Sequence, residues 1–150
     1  MIALIQRVNW VKVTIDQQLY SEIGRGLLAF IAVEKNDTDE LAEKLLLKIL
    51  SYRVFADAQD KMNLGLEESG GDLMLVSQFT LAANTDKGLR PSFSSAKSPA
   101  EAEIIYDHLV SMAATRHDCL KNGKLASGRF AANMQIALEN DGPVTFILRV

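Results

Sequence analysis

At 150 residues, 48% of them hydrophobic and 23% charged, the chain has the make-up of one soluble globular domain, long enough to bury a core without staples. A formal charge of −3 argues against nucleic-acid binding through overall charge, while leaving room for a local basic patch. The only cysteine, Cys119, excludes an intrachain disulfide and fits a reducing cytoplasm, and no apolar run approaches the roughly 20 residues that cross a bilayer.

Residues 1–8 lack the basic region and long apolar stretch of a signal peptide. Residues 2–8 and 11–15 read as two strands. In the second, Val11, Val13 and Ile15 alternate with Lys12 and Thr14, which predicts one wet face. The continuous apolar run 27–33 suits a strand buried on both faces. A helix follows, with Asp37 as its cap and Glu40 at capping-box spacing. Its apolar stripe is Leu41, Leu45 and Ile49 beside Ala42, Leu46 and Leu50. Residues 57–71 are rich in turn formers, including Asn63, Gly65, Gly70 and Gly71. Residues 72–81 return to a strand. A second helix has Ser98 as cap, Pro99 in its first position and Glu101 three residues after the cap, with Ile105, Leu109 and Met112 facing the core. Near the end, Met134, Ile136 and Leu138 alternate with other residues, as do Val144, Phe146, Leu148 and Val150. The break between them, Asn140-Asp141-Gly142-Pro143, reads as the tip of a hairpin. The fold expected is α/β: a single domain over residues 1–150, with mixed, mostly antiparallel β-sheet layers backed by two main helices.

The usual sources of chemistry are sparse. His108 and His117 stand apart, Cys119 is two beyond the second, and no HExxH or paired CxxC spacing exists. His108 reads as the edge of a helix's buried face. Gly24-Arg25-Gly26 is too short for a phosphate or dinucleotide loop, and no GxSxG elbow supplies a hydrolase serine. Asp57, Asp60, Glu67, Glu68 and Asp72 read as solvated loop charges. An enzyme built from this chain works without an evident metal, cofactor or histidine base.

Three segments stand out. Ser77-Gln78-Phe79-Thr80-Leu81 ends an apolar strand with polar residues, where backbone N–H groups come free and a pocket can form. Lys87-Gly88-Leu89-Arg90-Pro91-Ser92-Phe93 is a basic loop: by composition a solvated surface loop, functionally a place to hold phosphate. Gly142-Pro143 is a rigid piece of backbone with exposed carbonyls and no large side chain of its own, which can recognise a ligand by shape. Taken alone, it is most simply an ordinary turn.

Together, Ser77-Gln78-Phe79-Thr80-Leu81, the 87–93 loop, Gly142-Pro143-Val144-Thr145 and the opening Ile5-Gln6-Arg7-Val8 resemble the D-aminoacyl-tRNA deacylase family. The resemblance covers essentially the whole chain, and the order and spacing of the motifs are more specific than any one of them. It implies a cytoplasmic homodimer that edits tRNA by hydrolysing the ester joining a D-amino acid, or glycine, to the terminal adenosine. It implies a cis Gly142-Pro143 bond placed in the partner subunit's active site, where its carbonyls hold the amino group and exclude an L side chain. Arg7 would set the orientation of that dipeptide. Ser77, Gln78 and Phe79 would surround the ester, with the Phe79 main-chain N–H facing the carbonyl oxygen.

Thr80 is open to two roles, a covalent nucleophile or a bystander to hydrolysis assisted by the 2′-hydroxyl of the terminal adenosine. No His or acid in the sequence is placed to activate it, and an unassisted threonine is a poor nucleophile, so the second role is favoured. The resemblance calls for no cofactor, metal or membrane. Lys87, Arg90 and Lys97 on one side, and Lys121, Lys124 and Arg129 on the other, are the candidate tRNA contacts. Rival readings are a conventional esterase with Thr80 as nucleophile, and a non-catalytic RNA- or ligand-binding dimer in which Gly142-Pro143 is only a turn.

Overall fold

A computed structural model describes residues 1–86, 88–116 and 123–150. Lys87, His117, Cys119 and Lys121, all named above, lie outside the described residues. The strands are β1 (Ile2–Ile15), β2 (Gln18–Ile23), β3 (Gly26–Ala32), β4 (Phe55–Ala56), β5 (Met62–Leu64), β6 (Asp72–Ser77), β7 (Leu125–Ser127) and β8 (Met134–Arg149). The helices are α1 (Asp39–Ser51), the single turn α2 (Leu66–Ser69) and α3 (Pro99–Thr115).

The two strands expected over residues 2–15 are one. The chain stays extended through Asn9 and Trp10, with Trp10 opposite Glu139 in β8, and the interruption survives only as shifts of register around Val8. At the far end, Asp16 and Gln17 take left-handed φ values of 50° and 63° and return the chain as β2. One edge of β1 carries β3 opposite residues 2–8 and then β2 opposite residues 11–15. The other edge is paired along its full length with β8, from Ile2 against Arg149 to Ile15 against Met134. All these pairings are antiparallel. β3, β6 and β7 then continue the sheet in parallel.

Two apolar layers flank this sheet. Ala3, Ile5, Leu27, Ala29, Leu73 and Leu75 bury one face under α1 and α3. Val11, Val13, Ile23, Leu28, Met74 and Val76 gather on the other, where the sheet curls until the Ser21 hydroxyl of β2 donates to Ser127 O of β7 at 2.9 Å. β3 is therefore covered on both sides, as its unbroken apolar run predicts, and Lys12 stays exposed between buried Val11 and Val13.

Two further expectations need correction. Asp37 does not cap α1; Thr38 does. Asp37 is buried, and its carboxylate accepts from the Met1 ammonium at 2.7 Å and from Glu34 N at 2.6 Å, partners that repay the cost of burying its charge. The Thr38 hydroxyl instead hydrogen-bonds Glu40 and lowers its carboxyl below the usual range. Nor does the chain end in a hairpin: β8 is one strand, and both of its halves pair with β1. Gln6 faces Thr145 and Val8 faces Asn140, so residues 141–144 stand opposite Arg7 alone and bulge out of the ladder. The second helix is as expected: Ser98 caps α3, its hydroxyl meets Glu101, and Pro99 occupies the first turn. The turn-rich stretch 57–71 holds more order than its composition conveys, since β4 and β5 pair across it and α2 follows.

Gly26 shows how closely β3 and β6 approach. A Cβ there would sit 2.0 Å from Asp72 O, whereas one on Gly24 would meet nothing nearer than Asp72 Oδ2 at 3.5 Å. Gly26→Ala is expected to lower stability by at least about 2 kcal/mol. Gly24→Ala should stay within about 0.5 kcal/mol of the parent, both read by denaturant unfolding. Equal midpoints for the two variants would contradict the packing described.

Candidate active site

β6 does not run on to Leu81. Its ladder with β3 stops at Ser77 opposite Ile31, because β3 itself ends at Ala32. With no further strand to pair, Gln78 donates its N–H to Ile31 O at 2.7 Å and the chain closes into a 3-10 turn, Phe79–Ala82. The first bond of that turn runs from Leu81 N to Gln78 O. The N–H groups of Phe79 and Thr80 precede it, so the turn offers them no acceptor. The Thr80 hydroxyl oxygen accepts from Gln78 Nε2 at 2.5 Å. That partner is an amide donor and cannot take a proton.

Ser77, Gln78 and Phe79 line a cavity of about 500 Å³, together with Lys97, Tyr106 and Phe130. The Tyr106 and Phe130 rings lie 5.9 Å apart, and the Tyr106 hydroxyl donates to Leu75 O at 2.9 Å. Burial holds the Tyr106 phenol well above its ordinary pKa, so it remains a donor. Phe79 reaches outward and packs against Phe93 at 5.0 Å. That contact ties the 3-10 turn to the loop carrying Arg90, whose base is closed by the Asn84 and Ser92 backbones. Arg90 is exposed. Lys97 is half-buried at the cavity wall, with its Nζ on Lys35 O at 3.0 Å. Lys124 and Arg129 are exposed.

The second group of site residues is gathered at the bulge. Gly142-Pro143 is cis and exposed, with Gly142 at φ +130°. Beneath it, Arg7 Nη1 donates to Val54 O at 2.6 Å, and Nε lies 2.8 Å from Asp141 Oδ2, an ion pair by distance in which the N–H is not aligned as a hydrogen bond. Asn140 Nδ2 donates to both Arg7 O and Val144 O at 3.1 Å, closing the bulge across its neck. The structure thus brings Arg7 to Gly142-Pro143, and Ser77, Gln78 and Phe79 to Lys97. Within one chain it does not join the two groups, since no residue of 141–144 lines the cavity. Sequence reasoning missed Tyr106, Phe130 and Asn140. Tyr106 sits beside Ile105 on the buried face of α3, so its helical phase marked it. Nothing local marks Phe130 as a cavity residue.

Residues 4–149 match the family described as D-Tyr-tRNA(Tyr) deacylase. The chain belongs to that family. A D-aminoacyl-tRNA deacylase of Glaesserella parasuis serovar 5 (strain SH0165) is 53% identical over 150 residues, covering 100% of both chains. One of Cellvibrio japonicus (strain Ueda107) is 51% identical, covering 100% of this chain and 99% of that one. A solved structure described as c-Myc DNA Unwinding Element Binding Protein superposes with a TM-score of 0.89 at 33% identity, covering 100% of this chain and 99% of the other. Another, described as a probable eukaryotic D-amino acid tRNA deacylase, shares the fold at a TM-score of 0.83 and 18% identity, covering 98% and 97%. The mixed, mostly antiparallel α/β fold is that of the deacylases. Among the described residues, no helix is long and apolar enough to cross a membrane.

Asn140→Ala would leave two carbonyls at the neck of the bulge without their donor. A loss of about 1–3 kcal/mol in unfolding free energy is expected. An unchanged unfolding midpoint would mean that the carboxamide does not hold the bulge.

Proposed function

We propose that the cavity beside Ser77, Gln78 and Phe79 receives the terminal adenosine and ester of a D-aminoacyl-tRNA, and that Gly142-Pro143 of a second subunit completes the site. Family membership makes the chain a deacylase, an enzyme that hydrolyses the aminoacyl ester of tRNA. The observation that carries the shared-site reading is separation: the bulge is exposed, braced from below by Arg7, and absent from its own chain's cavity. Backbone so displayed fits a neighbour's cavity. In a two-fold dimer such insertion is reciprocal and builds two identical sites. There the Gly142 and Pro143 carbonyls would accept from the substrate's amino group and leave no space for an L side chain. A D side chain points outward, and glycine has none to reject, so glycyl-tRNA is also a substrate in this reading. The setting is the cytoplasm, in keeping with a lone cysteine.

Water adds to the ester carbonyl, the bond to the ribose oxygen breaks, and the ribose oxygen takes up the proton. Negative charge grows on the carbonyl oxygen, and the Phe79 N–H is the donor that meets it. One such donor is typically worth about 2.7–4 kcal/mol. Thr80 has only the Gln78 amide on its oxygen, so no base prepares it to attack. The 2′-hydroxyl of the adenosine, already beside the ester, orients the water. Lys97 at the wall and Arg90 on the loop serve the phosphates; Lys87 belongs to the same loop in sequence.

Thr80→Ala should therefore retain substantial activity, while a substrate ending in 2′-deoxyadenosine should react far more slowly. If the variant is inert and the deoxy substrate reacts normally, or if an acyl-enzyme is trapped on Thr80, the conventional esterase reading wins.

Matched D- and L-tyrosyl-tRNA test the stereochemical part: D-tyrosine should be released and L-tyrosine retained at the same enzyme concentration. Gly142→Ala adds a methyl to the backbone that faces the substrate in this reading, at a φ that L side chains rarely adopt, and should abolish D-ester hydrolysis. Mixed with subunits inactivated at Gln78, it should regain activity, because one of the two sites in a mixed dimer then has both parts intact. Verified subunit exchange without recovery would overturn the shared site.

A further inference from the structure

On the outer side of the cavity wall, an exposed aromatic ring and a guanidinium lie together without joining the buried core. Tyr20 is on β2 and 49% exposed. Arg129 follows β7, and its guanidinium carbon lies 6.0 Å from the centre of the Tyr20 ring. The turn between them and the cavity is tightly specified. Gly128 N donates to Leu75 O at 2.8 Å, Ala132 N donates to Arg129 O at 3.2 Å, and Ala131 takes a left-handed φ of 57°. A Cβ on Gly128 would come within 2.8 Å of Met134 Sδ. This turn sends Phe130 inward, beside Tyr106 in the cavity, and Arg129 outward to solvent.

We infer that Tyr20 and Arg129 form a platform for the single-stranded nucleotides that precede the terminal adenosine of tRNA, Tyr20 stacking on a base and Arg129 pairing with a phosphate. The inference rests on the placement of that adenosine in the cavity. A strand whose last nucleotide sits there must leave past one wall. The wall formed by residues 130–133 carries an exposed ring and a cation on its outer side. On the side of the 3-10 turn, Phe79 and Phe93 pack against each other with their rings tilted by 52°. Unpaired bases present a π face whatever their identity, so an aromatic ring holds them without reading sequence. The guanidinium fork matches a phosphate and can also stay stacked on the ring. Its present partner, Asp16, is 3.9 Å away and 90% exposed, a surface pair weak enough for a phosphate to replace. In a chain of net charge −3, phosphate binding has to be local in this way.

Two substrates that share the ester and differ in the strand separate the outcomes: D-tyrosyl-tRNA and D-tyrosyl-adenosine. In the full-length enzyme, Tyr20→Ala should raise KM for the tRNA roughly tenfold with kcat unchanged, the size expected from one lost base stack. Tyr20→Phe, which keeps the ring, should behave as the parent. Arg129→Ala should raise KM and flatten its dependence on salt. All three should cleave D-tyrosyl-adenosine at the parent rate and unfold at the parent temperature. If Tyr20→Ala leaves the tRNA KM unchanged, or weakens both substrates equally, the platform is overturned while the cavity assignment stands. Failure of the parent enzyme to cleave D-tyrosyl-adenosine would remove the cavity assignment itself, and the platform with it.

Discussion

The full-length ladder between β1 and β8 is the constraint around which the molecule is arranged. β8 has more residues than β1 can match, and the surplus collects opposite Arg7. A strand held in register on both sides of an insertion cannot slip to absorb it, so residues 141–144 are forced outward at a defined place. β1 supplies the guanidinium of Arg7 beneath them, and β8 supplies Asn140, the clasp at their neck. On its opposite edge β1 aligns β3, and β3 decides where β6 ends. The displayed backbone and the strand end at Ser77 are thus positioned by one element, acting through its two edges.

This arrangement suits an activated ester. The protein has little bond-making to do and can work by placing dipoles. A main-chain N–H at a strand end costs nothing to orient, because the fold has already fixed it. In the reaction proposed above, that N–H meets the ester in a largely apolar cavity, where its field is less screened than in water. Tyr106 shows the same economy: its hydroxyl is satisfied by Leu75 O, so an aromatic surface is offered to the cavity without a stranded polar group.

Legibility followed locality. The cap of α3 was readable because Ser98, Pro99 and Glu101 interact within one turn, and the stripe of α1 because helical phase repeats every few residues. Asp37 was misread because its partner, the Met1 ammonium, is 36 positions away and invisible to a local pattern. The C-terminal hairpin failed for a related reason. Alternation reports that a segment is extended, not which strand it lies beside, and Gly142-Pro143 carries turn chemistry even where the chain continues straight on. The end of β6 was misplaced because the length of β3 decides it. Ser77, Gln78 and Phe79, which line the cavity, and Arg7 and Gly142-Pro143, which meet at the bulge, were named from their motifs; Thr80, named with them, does not line the cavity. Phe130 and Asn140 were not, because their roles arise from cavity shape and from the bulge, which only the folded chain displays.

The β1–β8 ladder also orders events during synthesis. Its strands join residues near the start of the chain to residues near its end, the longest separation the fold contains. β1 leaves the ribosome first and must wait for nearly the whole chain before its second edge is covered. Until then it carries a long row of unpaired backbone groups, open to other chains. Closure of the sheet is consequently a late, non-local step, of the kind that slows folding and exposes nascent chains to misassociation. Continuity of the two long strands secures the native state and makes the incomplete chain vulnerable.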